Sequence, residues 1–250
     1  MTRYDSIDVL KGIAVICMVI FHIFYFPNQY GFKEIKYDTN VLKIIAKIAQ
    51  IIFIISVGIN LYLSKISSNE KNETKSTFTK KSLLRILKIA FFAMLMSLFT
   101  WFVFGEKYVK FGILHFIALA SLVFFQYSDN PRLVQSFFII ALMIYYLIIN
   151  QPSIFKDIPD PISFVFGFYN KKYKAVDHFP IFPWILLIII GMMIGNVFLN
   201  KKNTSSELIK DKILNVLKKI GKNSLEIYAI HWIVLYAIFC HIYPKYFRNV

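Results

Sequence analysis

Charge is scarce in this chain. Of its 250 residues only 17% are Asp, Glu, Lys or Arg, against 57% hydrophobic and 18% aromatic, with a mean hydropathy of +0.57. That balance excludes an ordinary soluble domain and makes the chain an integral membrane protein. Acidic groups are scarcer still, 14 against 29 Lys and Arg, leaving a formal charge of +15. In a soluble protein that excess would suggest nucleic acid. Here the basic residues collect in two segments between apolar runs, a topology pattern, so no nucleic-acid partner is expected. Cysteine is nearly absent: Cys17 and Cys240 fall in different apolar runs, with no C-x-x-C and no Cys/His ligand spacing. A disulfide and a metal site are both disfavoured. No small-residue cleavage site follows a short apolar stretch near the N-terminus, where Asp5 and Asp8 stand. The first apolar run is therefore expected to be retained.

Seven apolar runs are present, at about 7–26, 41–63, 86–104, 111–127, 133–149, 182–199 and 224–243. The expected fold is all-α, a polytopic membrane helical bundle of about seven transmembrane helices forming a single domain over 1–250. Two basic segments are expected as cytoplasmic loops, about 64–85 and 200–223. The first carries Lys65, Lys71, Lys75, Lys80, Lys81 and Arg85, with Lys88 just beyond it; the second carries Lys201, Lys202, Lys210, Lys212, Lys218, Lys219 and Lys222. With Arg3, Lys11 and Arg132 on the same side, they place the N-terminus inside and, after seven crossings, the C-terminus outside. Lys171, Lys172 and Lys174 oppose this from the outer side. Within the second basic segment, Glu207–Asn223 alternates apolar residues with lysines and is expected as an amphipathic helix on the anionic inner leaflet.

The run from Arg3 to Pro27 organises the rest. Asp8, Lys11, Val15, Met18 and His22 fall on one helical face, so a single stripe carries ionisable groups at both ends of a membrane span. His22 lies about 21 Å beyond Asp8, in the outer part of the membrane. An intramembrane histidine is either functional or a helix-end residue snorkelling to the headgroups. His115, a few residues into the fourth run, and Asp177 and His178, just before the sixth, fall on the same outer side. Singly, His115 could satisfy a neighbouring helix and Asp177 could cap the helix begun by Pro180 and Pro183. Their convergence at one level favours a site. Ser56 and Asn60 lie one turn apart near Gly58, which permits close helix approach, and Ser224, Tyr228 and His231 share one side of the last run as interhelical hydrogen-bond partners.

The blocks RYDSIDVLKGIAVICMVIFH, IISVGINLYLS, RILKIAFFAMLMSLFTWF, VKFGILHFIALASL, DHFPIFPWILLIIIGMMIGNVF and GKNSLEIYAIHWIVL occur in this order. Together they resemble the prokaryotic transmembrane acetyltransferases of the heparan-alpha-glucosaminide N-acetyltransferase catalytic-domain family, over nearly the whole chain. The resemblance implies transfer of an acetyl group from cytoplasmic acetyl-CoA to a sugar amine or hydroxyl presented outside the cell membrane. It matches Arg3, Asp8, Lys11 and Gly12 to the inner motif, His22 to the outer histidine, His115 to the histidine of the FGILH block and Asp177 to the acid before FPIFPW. Lys11 stands where an arginine is commoner, and His178 where tyrosine is expected. The extra domain and spans of the lysosomal relatives are not expected in this chain, so the resemblance does not carry over their glycosaminoglycan as the acceptor.

The residues suit that chemistry. A histidine with a near-neutral pKa is the usual general base, and Asp177 could fix its tautomer; an acetyl-imidazole intermediate is the other route. His22, Asp177 and His115 are the catalytic candidates. Arg3, Asp8, Lys11, Ser56 and Asn60 are the candidates for holding the donor, acetyl-CoA, with no metal. Expected partners are membrane lipid, an extracytoplasmic glycan and a second copy of the chain. A small transporter or flippase is the competing reading, but the halves share no repeat and the ionisable groups lie toward one surface.

Overall fold

The computed structural model describes residues 5–29, 39–168, 175–200 and 212–242. Arg3, Lys171, Lys172, Lys174, Lys201, Lys202 and Lys210 lie outside the described residues. Those residues form nine α-helices: α1 (Asp5–Gln29), α2 (Asn40–Glu70), α3 (Lys75–Phe104), α4 (Ile113–Phe124), α5 (Pro131–Asn150), α6 (Asp160–Phe166), α7 (Ile181–Asn200), α8 (Lys212–Lys222) and α9 (Ser224–Ile242). Each expected apolar run has its helix. α1, α2, α3, α5 and α9 are long and apolar enough to cross a membrane, and α4 and α7 are shorter apolar helices. Large apolar side chains lie exposed on the outside, among them Phe91, Met94 and Phe102 on α3 and Met143 on α5. Such a surface is stable against lipid and not against water, so the chain is an all-α polytopic membrane protein.

One expectation is corrected. The basic segment 64–85 is mostly helix, not loop: α2 runs to Glu70 and α3 starts at Lys75. No glycine or proline stands between Gly58 and Gly105 to break the helices, and Ser, Lys, Asn and Glu tolerate them. The reversal is confined to the four residues between. Asn72 adopts a positive φ of 50°, and the Thr74 hydroxyl accepts the Thr77 N–H at 3.2 Å as the N-cap of α3.

The described residues divide into two compact units, with the boundary inside α2. The central unit holds residues 54–200. In it α2 meets α7 where Gly58 faces Gly191: a Cβ on either would overlap a backbone carbonyl of the other helix, Ile188 or Ile55. The two glycines let the backbones touch, as expected for Gly58. One turn farther along, the Tyr62 hydroxyl donates to Asn196 Oδ1 at 3.0 Å. At one end of this unit Asn69 donates to Asp129 at 2.9 Å and Ser128 to the Leu61 carbonyl, tying the α2–α3 turn to the α4–α5 turn. At the other end the Val176 N–H donates to Lys107 O and the Phe179 N–H to Phe111 O. The short α4 therefore carries the chain between the two ends.

The terminal unit holds residues 5–53 and 212–242. Here α8 leads into α9 through a single-residue break at Asn223, and both run beside α1. Gly221 lies on the Asp8 carbonyl and Gly12 on the Leu217 carbonyl. Farther along, Phe26 packs edge-on to Trp232 at 5.5 Å and stacks on Phe239 at 5.9 Å. Contacts that ascend together in both segments make them parallel. Of the helix expected over Glu207–Asn223, residues 212–222 are helical and 207–211 lie outside the described residues; α8 meets α1 at Gly221, while Ile213 and Val216 on its apolar stripe stay exposed.

Candidate active site

The stripe read from α1 faces the protein. Asp8 and Val15 are buried and Lys11, Met18 and His22 partly so, whereas Leu10, Ile13, Ile20, Ile23 and Phe24 on the opposite side are exposed. At the N-terminal end of α1, Lys11 Nζ lies 3.1 Å from Asp8 Oδ1, and Lys218 pairs with Asp5. The Lys11 charge is thus already neutralised by a carboxylate that is only 2% exposed. That contact is structural as it stands, since a buried carboxylate requires a partner.

Toward the C-terminal end of α1, His22 meets His231, a residue that sequence reasoning assigned to helix packing. His22 Nδ1 lies 2.9 Å from the Met18 carbonyl and 3.3 Å from His231 Nε2, and His231 Nδ1 lies 2.6 Å from the Tyr228 carbonyl. A carbonyl only accepts, so the nitrogens facing Met18 and Tyr228 carry the protons. His231 Nε2 then presents a lone pair to the His22 Nδ1–H. The remaining nitrogen, His22 Nε2, keeps its lone pair and has no hydrogen-bond partner among the described residues. Trp232, 2% exposed, packs on the His22 ring with centroids 4.8 Å apart. Two neighbours therefore fix the tautomer of His22 and a third fixes its plane.

The pairing follows from the helix register. Gly12 and Gly221 touch, and each histidine lies ten residues beyond its glycine, about 15 Å along parallel helices. Counting from the start of each apolar run puts His22 deep in the first and His231 early in the last. The signal that would have paired them is the equal Gly-to-His spacing, visible only once the glycines are known to meet.

His115 and Asp177 belong to the central unit, at the end that carries the 175–180 loop. His115 is the third residue of α4, and its Nδ1 accepts the Gly112 N–H at 3.3 Å. Its Nε2 then holds the proton and faces Ser97 Oγ at 3.2 Å; that hydroxyl donates to the Val109 carbonyl. Both ring nitrogens are engaged. Asp177 Oδ2 accepts the Ile113 N–H at 3.4 Å, so this carboxylate, 64 residues away in sequence, caps α4 rather than the helix that follows it. Burial pushes its pKa up to about 6, while the Ile113 N–H pulls the other way. His178 Nε2 donates to the Phe164 carbonyl at 2.7 Å, and its ring stacks on Phe164 at 3.8 Å. Burial lowers its pKa against the raising effect of that bond. His178 thus docks α6 onto the loop, a role open to the tyrosine expected there, since both rings stack and both donate. Ser56 is buried and Asn60 partly buried on α2, beside the Gly58–Gly191 crossing.

Neither comparison with known proteins, against curated sequences or against solved structures, returns a match. The family model for heparan-alpha-glucosaminide N-acetyltransferase, catalytic, matches residues 3–233. That range takes in the α1 stripe, the His115 and Asp177 loops and the His22–His231 pair. A match over nearly the whole chain shows the family, and this membrane protein belongs to the heparan-alpha-glucosaminide N-acetyltransferase catalytic-domain family.

Proposed function

We propose that the protein is a multi-pass enzyme of the cell membrane that moves an acetyl group from cytoplasmic acetyl-CoA to an amine or hydroxyl of a sugar or glycan on the outer side. The observation that carries this reading is the state of His22: oriented through Nδ1 by Met18 and His231, packed by Trp232, with the Nε2 lone pair unspent. Family membership supplies the reaction class. In the proposed step, Nε2 takes a proton from the acceptor as its nitrogen or oxygen attacks the thioester carbonyl. The new bond to carbon forms, the carbon–sulfur bond breaks, and the imidazolium returns its proton to the departing thiolate, giving free CoA. His231 supports the positive charge, because its Nε2 lone pair faces the Nδ1–H that becomes more acidic in the imidazolium. His115 and Asp177 shape the outer loops by capping α4 and transfer no proton themselves.

The test is transfer of label from radiolabelled acetyl-CoA to glycans in membranes containing the protein. A correctly placed general base contributes roughly 10² to 10⁴ in rate, so His22→Ala is expected to lower turnover by about that factor at matched expression. His115→Gln, which preserves a polar partner for Gly112 or Ser97, is expected to retain most of it. Full turnover in His22→Ala would overturn the catalytic assignment.

A further inference from the structure

The last turns of α2 and the first three turns of α3 enclose a cavity of about 280 Å³ that the acetyl-transfer reading does not use. Its walls are mostly polar, with three cations against one carboxylate: Ser64, Ser67 and Ser68 from α2, Lys71 and Glu73 from the turn, and Lys81, Ser82 and Arg85 from α3. Glu73 is the one carboxylate, and it is already held, by Lys81 Nζ at 2.6 Å and the Ser68 hydroxyl at 3.1 Å. Those contacts, the Lys81 bond foremost, keep its pKa below the usual range. Arg85 has a different partner. Its guanidinium donates to the Ser64 hydroxyl at 3.2 Å and meets no carboxylate among the described residues. Ser67 and Ser82 are 8% and 7% exposed, line the cavity, and make no side-chain hydrogen bond among the described residues.

Two buried hydroxyls without partners, a guanidinium without a carboxylate and Lys71 at the rim form an unfilled set of donors. Buried polar groups are normally satisfied, and an excess of cations with donors around a small cavity suits a tetrahedral oxyanion better than a planar carboxylate, which Glu73 already supplies. Phe78 closes the apolar side, with Lys65 Nζ held over its ring at 4.6 Å. We propose that this cavity binds a phosphate group of a larger ligand, with Arg85, Ser67 and Ser82 as its donors and Lys71 as an accessory charge. The chemistry is the same for a nucleotide phosphate of a CoA-type donor and for the headgroup of an anionic phospholipid. Only the first of these rests on the acetyl-transfer reading.

Binding without turnover tests the site. Purified full-length protein in detergent is titrated with coenzyme A, with pantetheine, which lacks phosphate, and with fluorescent phosphatidic acid against phosphatidylcholine. Arg85→Gln and Ser82→Ala remove charge-assisted or neutral donors, and the arginine change is expected to weaken the phosphate-bearing probe about tenfold or more. Pantetheine, with no phosphate, and phosphatidylcholine, whose phosphodiester is capped and neutralised by choline, are expected to be indifferent. Weakening for coenzyme A assigns the nucleotide source, and weakening for phosphatidic acid alone assigns the lipid source. Equal affinity of wild type and Arg85→Gln for both probes overturns the proposal. Should Arg85→Gln fail to fold, Glu73→Gln decides. Removing the resident carboxylate is expected to raise affinity for the phosphate-bearing probe, and an unchanged or lower affinity overturns the site. Because no acceptor is present, failure here leaves the His22 assignment intact, and an inactive transferase that binds phosphate leaves this one intact.

Discussion

At the scale of single residues, His22 is distinguished from both His115 and His231 by what its nitrogens are doing. His115 spends both on backbone and serine, whereas His22 spends one. His231 touches His22 and acts through it, so it is a positioning residue. Its loss removes one hydrogen bond, worth about 1 kcal/mol and more when charge develops, so His231→Ala is expected to lower turnover about tenfold. The Gln variant offers a carbonyl oxygen to the same Nδ1–H and is expected to recover much of that loss. A merely structural role would show instead as equal destabilisation by both variants and an unmoved pH profile.

Asp177 gives a second residue-scale expectation. Its pKa is raised from 3.8 to about 6 in the fold, so between those values the folded protein holds a proton that the unfolded chain has released. Stability should then fall as pH rises from about 4 through about 6 and level off above, since ionisation is disfavoured where the carboxyl is buried. Thermal melts of detergent-solubilised protein across that window should show the slope, and Asp177→Asn should flatten it. A slope of opposite sign would mean that the Ile113 contact outweighs burial.

The helix pairs are held by small residues at points where backbones meet. A Cβ at position 221 would coincide with the Asp8 carbonyl, so Gly221→Val must push α8 from α1 and draw His231 away from His22. Overpacking of this kind costs about 1–3 kcal/mol or more, and a lower melting temperature together with reduced acetyl transfer is expected. Gly105 provides the contrast. Its φ is +55° with ψ −129°, but nothing lies within 4 Å of a Cβ there, so Gly105→Ala should cost only backbone strain, about 1–3 kcal/mol, and leave transfer per folded protein unchanged. Equal effects of the two changes on transfer would remove the close approach as the reason for Gly221.

At the scale of the whole molecule, chain direction follows from contacts within each unit. α1 and α9 run parallel, which requires an odd number of crossings between their starts and ends if all seven expected spans cross. The ties from Asn69 to Asp129 and from Val176 to Lys107 put alternate turns of the central unit at opposite ends. Neither says which side is cytoplasmic. That rests on the lysine-rich segments, among them the cations around Asn72. A reporter inserted at Asn72 is expected to be internal and one fused after Val250 external. The reverse pair would invert the direction of acetyl transfer proposed above.

Composition and apolar periodicity were enough for the membrane class, the seven helical runs, the buried face of α1 and the close approach at Gly58. These are properties of short stretches, decided by the cost of placing polar groups in hydrocarbon and by 3.6-residue geometry. The partners of the site residues were not legible in that way. Asp177 caps a helix 64 residues upstream, His231 meets His22 only because Gly12 and Gly221 set the register, and Lys11 is neutralised by Asp8 before any ligand arrives. The polar segment 64–85 read as a loop by its charge, yet folded as two helix ends, because nothing in it breaks a helix once packing supports one. Local sequence sets which faces must be covered; which covered faces meet, and at what register, is a contest among long-range contacts that only the tertiary structure decides.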